Sequence, residues 1–546
     1  MLPRRTLLRA SVAALAAPAL VTGVAARASA TASTVSVDLR NNTGSDTVYA
    51  YVTGLALDNG NAWYLLQADG RTPYYPTSPA SNGTPLAADC AIPLDPSGAG
   101  AKRITIPRTA GGRIWVSLDQ KLTFLLNPGP ALVEPSVTNS SDPNIDIQWD
   151  FCEFTFDSSV LYANVSAVDF AAVPIALELT TDSGGTQTVP GLPAGGLDTI
   201  CAGLSAQGQG WEQLIVTSGG QNLRALSPTA GIVRDSALFS GYYSSYVDQV
   251  WAKYASTPLY VDTQASWGTL TGTVSGGLLT FPGAGSFAKP SAADIFSCNS
   301  GPFNVSSAVM GALTARISAA LNRSTLLADA NQPGGENPAT YYTTTPTNHY
   351  ARLVHATSTD GRGYAFPYDD VTPDGGTDQS GFVTAGDPTL LTVTLSPVHG
   401  SGGTTPPAGG TSAYSTVQAS SYTAQSGTVT EPTGDTGGGY DVGYIANGDW
   451  LGYADIDFGS GGATQFLARV ASGAASGVSG LVQVALDSPT AAPVGSFAVA
   501  NTGGWQSWVT IPANISKVTG VHTVYLTFAS GQPADFVNVH WFRFAA

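Results

Sequence analysis

Residues 151–170 read FCEFTFDSSVLYANVSAVDF, and they predict two antiparallel β-strands joined by a turn at DSS. Polar and apolar side chains alternate in the first strand, which places them on opposite faces of a sheet. The polar face holds Glu153, Thr155 and Asp157, and the apolar face holds Cys152, Phe154 and Phe156. We therefore expect one face to pack on a core and the other to border a groove.

Two acids of this stretch, Glu153 and Asp169, lie among apolar and β-forming residues. Burying an unpaired carboxylate costs several kcal/mol, so either backbone N–H groups satisfy these acids or the acids perform chemistry. Glycoside hydrolysis uses two carboxyl groups about 5–9.5 Å apart. A plain hairpin would set Glu153 opposite residue 164 and leave Asp169 about 16 Å away along the strand. A catalytic pair thus requires the returning strand to bend or to cross the groove. The competing acids are Asp146, Asp150, Asp157 and the pair Asp369–Asp370.

Composition predicts a mainly β chain of more than one domain. Its 546 residues are too many for a single hydrophobic core. Only 11% of them are charged, while 63 are Gly and 35 are Pro, which is typical of a β-rich chain with many turns. One segment departs from the β pattern, because apolar residues recur every four positions within residues 304–323 and predict an amphipathic helix. These residues are Val309, Leu313, Ile317 and Leu321. Residues 197–226 are expected to be helical in part, so helices are inserted into the second half of a β-rich unit.

Residues 1–30 are predicted to be a signal peptide of the twin-arginine type. Arg4-Arg5 precede an apolar run that ends at the small-residue site Ala28-Ser29-Ala30. A membrane anchor is the alternative, but the apolar run is short for a span of about 20 residues. We therefore expect a secreted, soluble bacterial protein.

Charge narrows the class of partner. Removing residues 1–30 removes four arginines and no acid, so the formal net charge goes from −16 to −20. A strongly acidic surface disfavours nucleic acids and anionic membranes, and it leaves neutral polysaccharide as a candidate partner.

The cysteines and histidines predict no metal centre or cofactor. Cys90, Cys152, Cys201 and Cys298 allow two disulfides in an exported chain, with three possible pairings. Their spacing does not match a zinc site, and the sequence contains no H-E-x-x-H, G-x-S-x-G or P-loop motif. A metallohydrolase, a serine hydrolase of the α/β type and a nucleotide-binding enzyme are therefore disfavoured.

A low-complexity segment divides the chain. Residues 400–412, GSGGTTPPAGGTS, offer no large apolar side chain to a core and are predicted to be a linker. They separate a unit at 31–399, of a size typical of a catalytic domain, from a tail at 413–546. The tail shows only short, evenly spaced strand patterns, which favour an antiparallel β-sandwich.

Two stretches of the long unit resemble known families. EFTF followed by ANVSAVDFAAVPI is similar to the thaumatin-like pattern in which E-F-T and a D-G-F-N segment flank an acidic cleft. KLTFLLNPGPALVEPS, residues 121–136, resembles glycoside hydrolase family 64, the β-1,3-glucanases built on a thaumatin-like barrel. Four cysteines, and Phe170-Ala171-Ala172 in place of Gly-Phe-Asn, favour these bacterial glucanases over the plant defence proteins.

The resemblance implies a thaumatin-like β-barrel or sandwich with an inserted α/β region. It also implies a secreted, monomeric, inverting endo-β-1,3-glucanase that releases laminaripentaose-type oligosaccharides. Glu153 would be the general acid and Asp169 the general base, while Thr155, Asp157 and Tyr162 would hold sugar hydroxyls. Two alternatives are a non-catalytic thaumatin-like glucan-binding protein, acting as a lectin or in defence, and a hydrolase for a different polysaccharide.

The tail resembles carbohydrate-binding module family 6, whose fold is a β-sandwich of the jelly-roll type. GDTGGGYDVGYIANGDWLGYADIDFG and FVNVHWFRF carry the likeness. It implies that Tyr444 and Trp505 sandwich a sugar ring and that Asn538 bonds its hydroxyls. The family usually binds calcium through an E-A-E run and a late aspartate, where this chain has Gln418-Ala419-Ser420 and His540. Because calcium prefers carboxylates, we expect no strong calcium site.

Overall fold

A computed structural model describes residues 32–399, 411–435, 438–458 and 462–545. The predicted signal peptide at residues 1–30 and positions 400–410 of the predicted linker lie outside these ranges. The described residues form two compact units, one within 32–399 and one within 411–545, and each is described by itself below. The prediction of a mainly β chain is confirmed.

Within residues 32–399 the structure has 24 strands and six α-helices. The strands are β1 (Thr34–Asn41), β2 (Val48–Ala56), β3 (Ala62–Leu66), β4 (Pro73–Tyr74), β5 (Thr84–Pro85), β6 (Ile92–Pro93), β7 (Ala101–Pro107), β8 (Thr109–Leu118), β9 (Leu125–Asn127), β10 (Ala131–Val133), β11 (Trp149–Phe156), β12 (Leu161–Val165), β13 (Phe170–Ala171), β14 (Ile175–Thr181), β15 (Thr186–Val189), β16 (Ile215–Ser218), β17 (Gln221–Leu226), β18 (Leu259–Asp262), β19 (Thr269–Ser275), β20 (Leu278–Phe281), β21 (Gly285–Phe287), β22 (Asn331–Gln332), β23 (Phe382–Ala385) and β24 (Pro388–Leu395). The helices are α1 (Gly196–Gln207), α2 (Pro228–Arg234), α3 (Ser244–Tyr254), α4 (Ala292–Ser297), α5 (Ala308–Arg323) and α6 (His349–Thr357).

Two large sheets dominate this unit. One has five strands in the order β15-β14-β24-β1-β7, and the other has eight, in the order β23-β12-β11-β8-β2-β3-β4 with β6 paired to β2. Three further sheets have the orders β10-β9-β5, β13-β17-β16 and β21-β20-β19-β18-β22, with three, three and five strands. Buried apolar side chains from both large sheets and from the helices form one continuous core.

The predicted hairpin is present as β11 and β12. Glu153 lies directly opposite Asn164, as the plain-hairpin register requires. Along β11, Cys152, Phe154 and Phe156 are buried, whereas Glu153 and Thr155 remain half-exposed. The neighbouring strand β8 contributes Gly112 opposite Phe154, where a Cβ atom would lie 2.4 Å from the phenyl ring. The alternation of the sequence therefore assigns the two faces of this strand correctly.

All six helices of this unit lie between β15 and β23, so the predicted insertion of helices into its second half is confirmed. The expected helix within residues 304–323 is α5, which begins at Ala308 because the Ser307 hydroxyl accepts a hydrogen bond from the Met310 N–H (3.4 Å). The partly helical segment 197–226 contains α1, and then two strands follow.

The two disulfides that the cysteine count allows are not formed. Cys90, Cys152, Cys201 and Cys298 are all buried free thiols. They lie on four separate parts of the unit: the segment before β6, strand β11, helix α1 and the C-terminal cap of α4. Burial raises the pKa of each thiol to about 12, so these side chains are neutral and pack as small apolar groups.

The second unit contains 12 strands among its described residues. They are β25 (Thr411–Ser412), β26 (Val417–Gln418), β27 (Ala424–Ser426), β28 (Val429–Pro432), β29 (Tyr440–Ile445), β30 (Trp450–Asp457), β31 (Ala463–Ser472), β32 (Gly480–Leu486), β33 (Gly495–Val499), β34 (Gly504–Val518), β35 (Val521–Ser530) and β36 (Val537–Ala545). Pairing follows the order β25-β30-β35-β32-β33-β34-β31-β36-β29-β28, and β33 meets β34 through the residue pair Gly495 and Ile515. The two halves of this order enclose a second apolar core, as in a β-sandwich.

No helix in the described ranges has both the length and the apolar character needed to cross a bilayer.

Candidate active site

A polar row crosses the eight-stranded sheet at the predicted catalytic glutamate. Thr53 on β2 pairs with Arg113 on β8, Arg113 pairs with Glu153 on β11, and Glu153 pairs with Asn164 on β12. Residues that lie directly opposite one another in antiparallel strands project to the same face. Four neighbouring strands therefore present their polar side chains on one side of the sheet.

The returning strand leaves the hairpin before it reaches Asp169. Strand β12 ends at Val165, and the Ala167 N–H then donates to the carbonyl of Tyr364 (2.8 Å). The Tyr350 hydroxyl donates to the carbonyl of Ala167 (2.7 Å), which holds the chain in its new direction. The chain therefore departs from the plain hairpin before it reaches Asp169.

Asp169 lies immediately before β13, which pairs with β17 in a different sheet. Its carbonyl accepts a hydrogen bond from the Ser227 N–H (2.9 Å). Three residues farther along, the Ala172 and Val173 N–H groups donate to the Asp150 carboxylate at 2.8 and 2.9 Å. The backbone that carries Asp169 is therefore fixed on both sides.

Asp150, a competing candidate for catalysis, is bound by backbone N–H groups and has a structural role. It is buried, and Oδ1 also accepts the Phe151 N–H (2.8 Å). Burial raises the pKa of Asp150 to about 7, although the three backbone donors and nearby Arg224 act to lower it. Backbone groups satisfy this acid, as the non-catalytic interpretation of a buried carboxylate predicts.

Arg113 holds the Glu153 side chain from the neighbouring strand. Its Nε and Nη2 atoms both donate to Glu153 Oε1 at 3.2 Å. Glu153 Oε2 receives no hydrogen bond from the described part of the chain. About 35% of the Glu153 side chain is accessible to solvent, so its second oxygen remains available to a ligand.

A second carboxylate binds the other end of the same guanidinium. Arg113 Nη1 donates to Glu134 Oε2 at 2.9 Å, and the Thr53 hydroxyl donates to Glu134 Oε1 at 3.4 Å. The guanidinium lies over the rings of Phe151 (4.6 Å to the centroid) and Trp115 (5.3 Å). Because aromatic rings cover its face, Arg113 can bind carboxylates only through its edges.

Arg113 also links the two predicted catalytic acids electrostatically. Desolvation raises the pKa of Asp169, and the charge of Arg113 opposes this rise. Asp169 is solvent-exposed as a residue, but the protein around its carboxyl group excludes enough water to disfavour the ionised form. Desolvation acts to lower the pKa of Arg113, but Glu134, Glu153 and Asp169 together hold that pKa above its usual value. One cation therefore interacts with three carboxyl groups.

The residues predicted to hold sugar hydroxyls divide into two groups. Thr155 and Tyr162 lie opposite one another on β11 and β12, next to Glu153. Asp157 instead follows the end of β11, and its Oδ1 accepts the N–H groups of Ser159 (2.7 Å) and Val160 (2.9 Å). Asp157 therefore caps the hairpin turn, which is the position that the sequence DSS favours.

Two residues near Tyr162, Phe382 and Asp378, were not predicted. The Tyr162 ring stacks on Phe382 of β23, with centroids 5.0 Å apart. Desolvation raises the pKa of the Tyr162 hydroxyl, and Asp378, Asp370 and Glu153 add to this rise. Desolvation raises the pKa of Asp370 too, with a contribution from Asp378. A second group of acids and aromatic rings thus lies within electrostatic range of Glu153.

Asp369 fixes the loop that carries Asp370. Its buried carboxylate accepts hydrogen bonds from Arg323 Nη2 (3.2 Å) and the Ala365 N–H (3.0 Å), and it pairs with His355 Nε2 (2.9 Å). Burial alone would raise the pKa of Asp369, but His355 and Arg323 hold it below the ordinary value. Of the two adjacent acids, Asp369 is thus structural, and Asp370 is solvent-exposed.

Sequence reasoning missed Arg113 and Glu134. Arg113 is the charged residue in GGRIWVSL, a segment that otherwise predicts a buried strand. A lone cation in such a strand implies an anionic partner, which is a usable signal. Glu134 follows the very short strand β10 and shows no comparable pattern.

In the second unit, the two predicted aromatic residues are accessible. Tyr444 is 57% exposed and Trp505 is 38% exposed, which is unusual for large rings. The Trp505 ring lies against Gly473, where a Cβ atom would come within 2.7 Å of it. Asn538 is buried, and its Nδ2 donates to Glu431 Oε1 (2.9 Å) and to the Trp505 carbonyl (3.3 Å). Asn538 therefore anchors the segment that presents Trp505.

His540 occupies the position of the usual late aspartate. It is buried, and its Nδ1 pairs with Asp435 Oδ2 at 2.9 Å. Arg469 binds the same carboxylate through Nε and Nη2 at 2.8 and 2.7 Å. Two basic side chains thus surround Asp435, and this arrangement is unsuited to a cation there.

Comparisons with known proteins agree with this arrangement of two units. Residues 33–395 match the glycoside hydrolase family 64 model, described as beta-1,3-glucanase, and residues 418–546 match the model of carbohydrate binding module family 6. A glucan endo-1,3-beta-glucosidase of Cellulosimicrobium cellulans is 30% identical over 405 residues, which span 73% of this chain and 71% of that protein.

A solved structure and a relative of the tail complete the comparison. The structure of a laminaripentaose-producing beta-1,3-glucanase in complex with laminaritetraose has a TM-score of 0.61 and 34% identity, covering 67% of this chain and 99% of that one. An arabinoxylan arabinofuranohydrolase of Paenibacillus polymyxa is 40% identical over 134 residues, which span 24% of this chain and 20% of that protein.

Proposed function

The chain belongs to glycoside hydrolase family 64, the β-1,3-glucanases, and we propose that it cleaves linear β-1,3-glucan internally with inversion of the anomeric centre. Glu153 is the general acid and Asp169 is the general base. The observation that carries this assignment is the shared Arg113, which binds one oxygen of Glu153 and acts electrostatically on Asp169.

The proposed reaction uses each carboxyl group once. Glu153 donates a proton to the glycosidic oxygen from Oε2, the carboxyl oxygen that Arg113 does not bind. The bond between the glycosidic oxygen and C1 then breaks. Asp169 accepts a proton from a water molecule, whose oxygen forms a bond to C1 on the opposite face of the sugar. Desolvation of Asp169 favours this step, because it makes the carboxylate a stronger base.

The surroundings support a polysaccharide substrate. Thr155, Tyr162 and Phe382 supply a hydroxyl and stacked rings beside Glu153, and Asp370 supplies a further acceptor for sugar hydroxyls. We propose products of the laminaripentaose type, since the similar solved enzyme is described as laminaripentaose-producing. We also propose that the first unit has the thaumatin-like architecture which the E-F-T and Asp169-Phe170 motifs resemble.

Inversion is tested by the first product formed. Proton NMR of linear β-1,3-glucan during early hydrolysis should show the α-anomer at the new reducing end before mutarotation equilibrates it. A digestion by a retaining β-1,3-glucanase, run in parallel, provides the reference for the β-anomer. Initial accumulation of the β-anomer by this protein would refute the general-base role of Asp169.

The tail is proposed to tether the enzyme to insoluble glucan. Tyr444 and Trp505 offer their faces to the C–H groups of a sugar ring, and buried Asn538 holds the segment that presents Trp505 through the Trp505 carbonyl. Tethering raises the local concentration of substrate without changing the chemistry at Glu153. With the signal peptide at residues 1–30, this arrangement suits a monomeric enzyme that bacteria secrete to digest solid polysaccharide.

Trp505→Ala should weaken binding to insoluble β-1,3-glucan by roughly 30-fold, because loss of one stacked ring costs about 2 kcal/mol. Pull-down measures this effect, and hydrolysis of soluble oligosaccharides should stay at the wild-type rate. Val521→Ala is the matched control, since Val521 is 39% exposed in the same unit and should leave binding unchanged. Equal pull-down of the Trp505 variant and wild type would rule out the proposed tail site.

A further inference from the structure

Asn164 lies in the same polar row as Glu153, and the proposed reaction gives it no role. It is directly opposite Glu153 of β11 on one side and directly opposite Phe382 of β23 on the other. Side chains at opposite positions of antiparallel strands project to the same face, with Cβ atoms about 4.5–5.5 Å apart. Tyr162, two positions earlier on β12, projects to this face as well and stacks on Phe382. Asn164 therefore lies between the proposed general acid and a pair of aromatic rings.

The Asn164 amide has an unsatisfied hydrogen-bonding group. Only 3% of the residue is exposed, and its Oδ1 atom is buried without a hydrogen-bond partner among the described residues. A buried polar group without a partner costs stability, whereas a leucine of similar shape would carry no such cost. An unpaired amide directly beside the general acid thus points to a ligand that supplies the missing partner.

We propose that Asn164 is a substrate-binding residue, whose amide forms a hydrogen bond with a hydroxyl group of a sugar unit at the cleaved bond. The inference rests on the proposed function, which places that bond at Glu153. A sugar hydroxyl suits the site because it can donate to an amide oxygen and accept from an amide nitrogen. No hydrogen bond from the described part of the chain holds Oδ1 in place, so the amide can turn its oxygen towards the sugar.

Asn164→Leu tests this role, since leucine has nearly the shape of asparagine but forms no hydrogen bond. On a soluble β-1,3-linked hexasaccharide, kcat/KM should fall by about 10-fold, the loss typical of one hydrogen bond. The melting temperature should equal or exceed that of wild type, because the unpaired polar group is removed. Wild-type kcat/KM, or a loss of activity together with a lower melting temperature, would overturn the inference.

Asn164→Ala is the second variant, because its small side chain cannot block the sugar. Its kcat/KM should fall to the same extent, and wild-type kcat/KM would attribute any effect of leucine to bulk and overturn the inference. Thr314→Val is the matched control for both variants. Thr314 on helix α5 is 1% exposed, and its Oγ1 is also buried without a partner in the described ranges. This control should keep wild-type kcat/KM and should not lower the melting temperature.

Substrate analogues identify the hydroxyl that Asn164 binds. Oligosaccharides that each lack one hydroxyl on either sugar of the cleaved bond are assayed with wild type and with Asn164→Ala. For one analogue, wild type should lose about 10-fold more kcat/KM than the variant does, because the variant already lacks that hydrogen bond. Differences in intrinsic reactivity cancel, since both enzymes act on the same analogue. Equal losses for every analogue would overturn the inference.

Glu153→Gln, assayed in parallel, distinguishes failure of this inference from failure of the proposed function. Full activity of Glu153→Gln would refute the proposed general acid and, with it, the placement of the cleaved bond beside Asn164. Loss of activity in Glu153→Gln, combined with wild-type behaviour of both Asn164 variants, would refute the role of Asn164 alone.

Discussion

Glu153→Gln is expected to lower kcat on linear β-1,3-glucan by about 10³-fold, which corresponds to about 4 kcal/mol of transition-state stabilisation. The amide has the shape of the acid and can still accept hydrogen bonds from Arg113, so the variant should fold normally. The loss arises because an amide cannot protonate the departing glycosidic oxygen. Initial rates of reducing-sugar release measure the effect.

The leaving group distinguishes a general acid from a residue that merely supports the fold. A dinitrophenyl aglycone leaves as a stable anion and needs no proton. Glu153→Gln should therefore hydrolyse a β-1,3-linked oligosaccharide that carries this aglycone at close to the wild-type rate. Glu178→Gln is the matched control, since Glu178 is a half-exposed glutamate on strand β14. Equal losses on both substrates would exclude the general-acid role, and an undiminished rate on glucan would exclude any catalytic role.

Asp169→Asn should also lower kcat by about 10³-fold, but on activated and natural substrates alike, because both require a deprotonated water. Adding azide should restore activity, since a small anionic nucleophile needs no general base. The product expected from inversion is the α-glycosyl azide, which NMR identifies. Asp182→Asn, at an exposed acid of the same unit, should show neither loss nor rescue. A variant that azide cannot rescue and that fails only on natural glucan would contradict the assignment.

The pH dependence of the wild type follows from the same carboxyl group. Asp169 must be ionised to act, and desolvation raises its pKa above the ordinary value of an aspartate. Activity should therefore fall as the pH decreases through this raised pKa, so that the acidic limb lies above the ordinary pKa of an aspartate. Asp169→Asn should abolish that limb in the residual activity. A wild-type limb at or below the ordinary pKa of an aspartate would show that a less desolvated group controls it.

Local pattern was sufficient to predict much of the scaffold around this site. The alternation in FCEFTFDSS assigned Glu153 and Thr155 to one face and the phenylalanines to the other, and the turn at DSS set Glu153 opposite Asn164. The four-residue period predicted helix α5. These predictions succeed because strand alternation, turns and helical periodicity depend on neighbours within a few residues.

Asp157 and the cysteines show where local pattern is insufficient. Alternation alone places Asp157 on the face of Glu153, but the strand ends one residue earlier and the Asp157 carboxylate binds the N–H groups of the turn. The even cysteine count allowed disulfides, but the four thiols lie on separate elements of the core. Whether two side chains meet depends on the packing of distant elements, which composition does not encode.

Contiguous residues were enough to predict the strands and the turn and to propose Glu153 and Asp169 as candidate acids, since motif and periodicity are local properties. How these two acids are placed depends on long-range packing. The chain turns away from the hairpin at Ala167, where the Tyr350 hydroxyl binds its carbonyl, and Asp169 thereby comes within electrostatic range of Arg113. Arg113 lies 40 residues before Glu153 in sequence, yet β8 and β11 pair directly and bring their side chains together. A long-range strand pairing thus creates the charge environment on which the proposed chemistry depends.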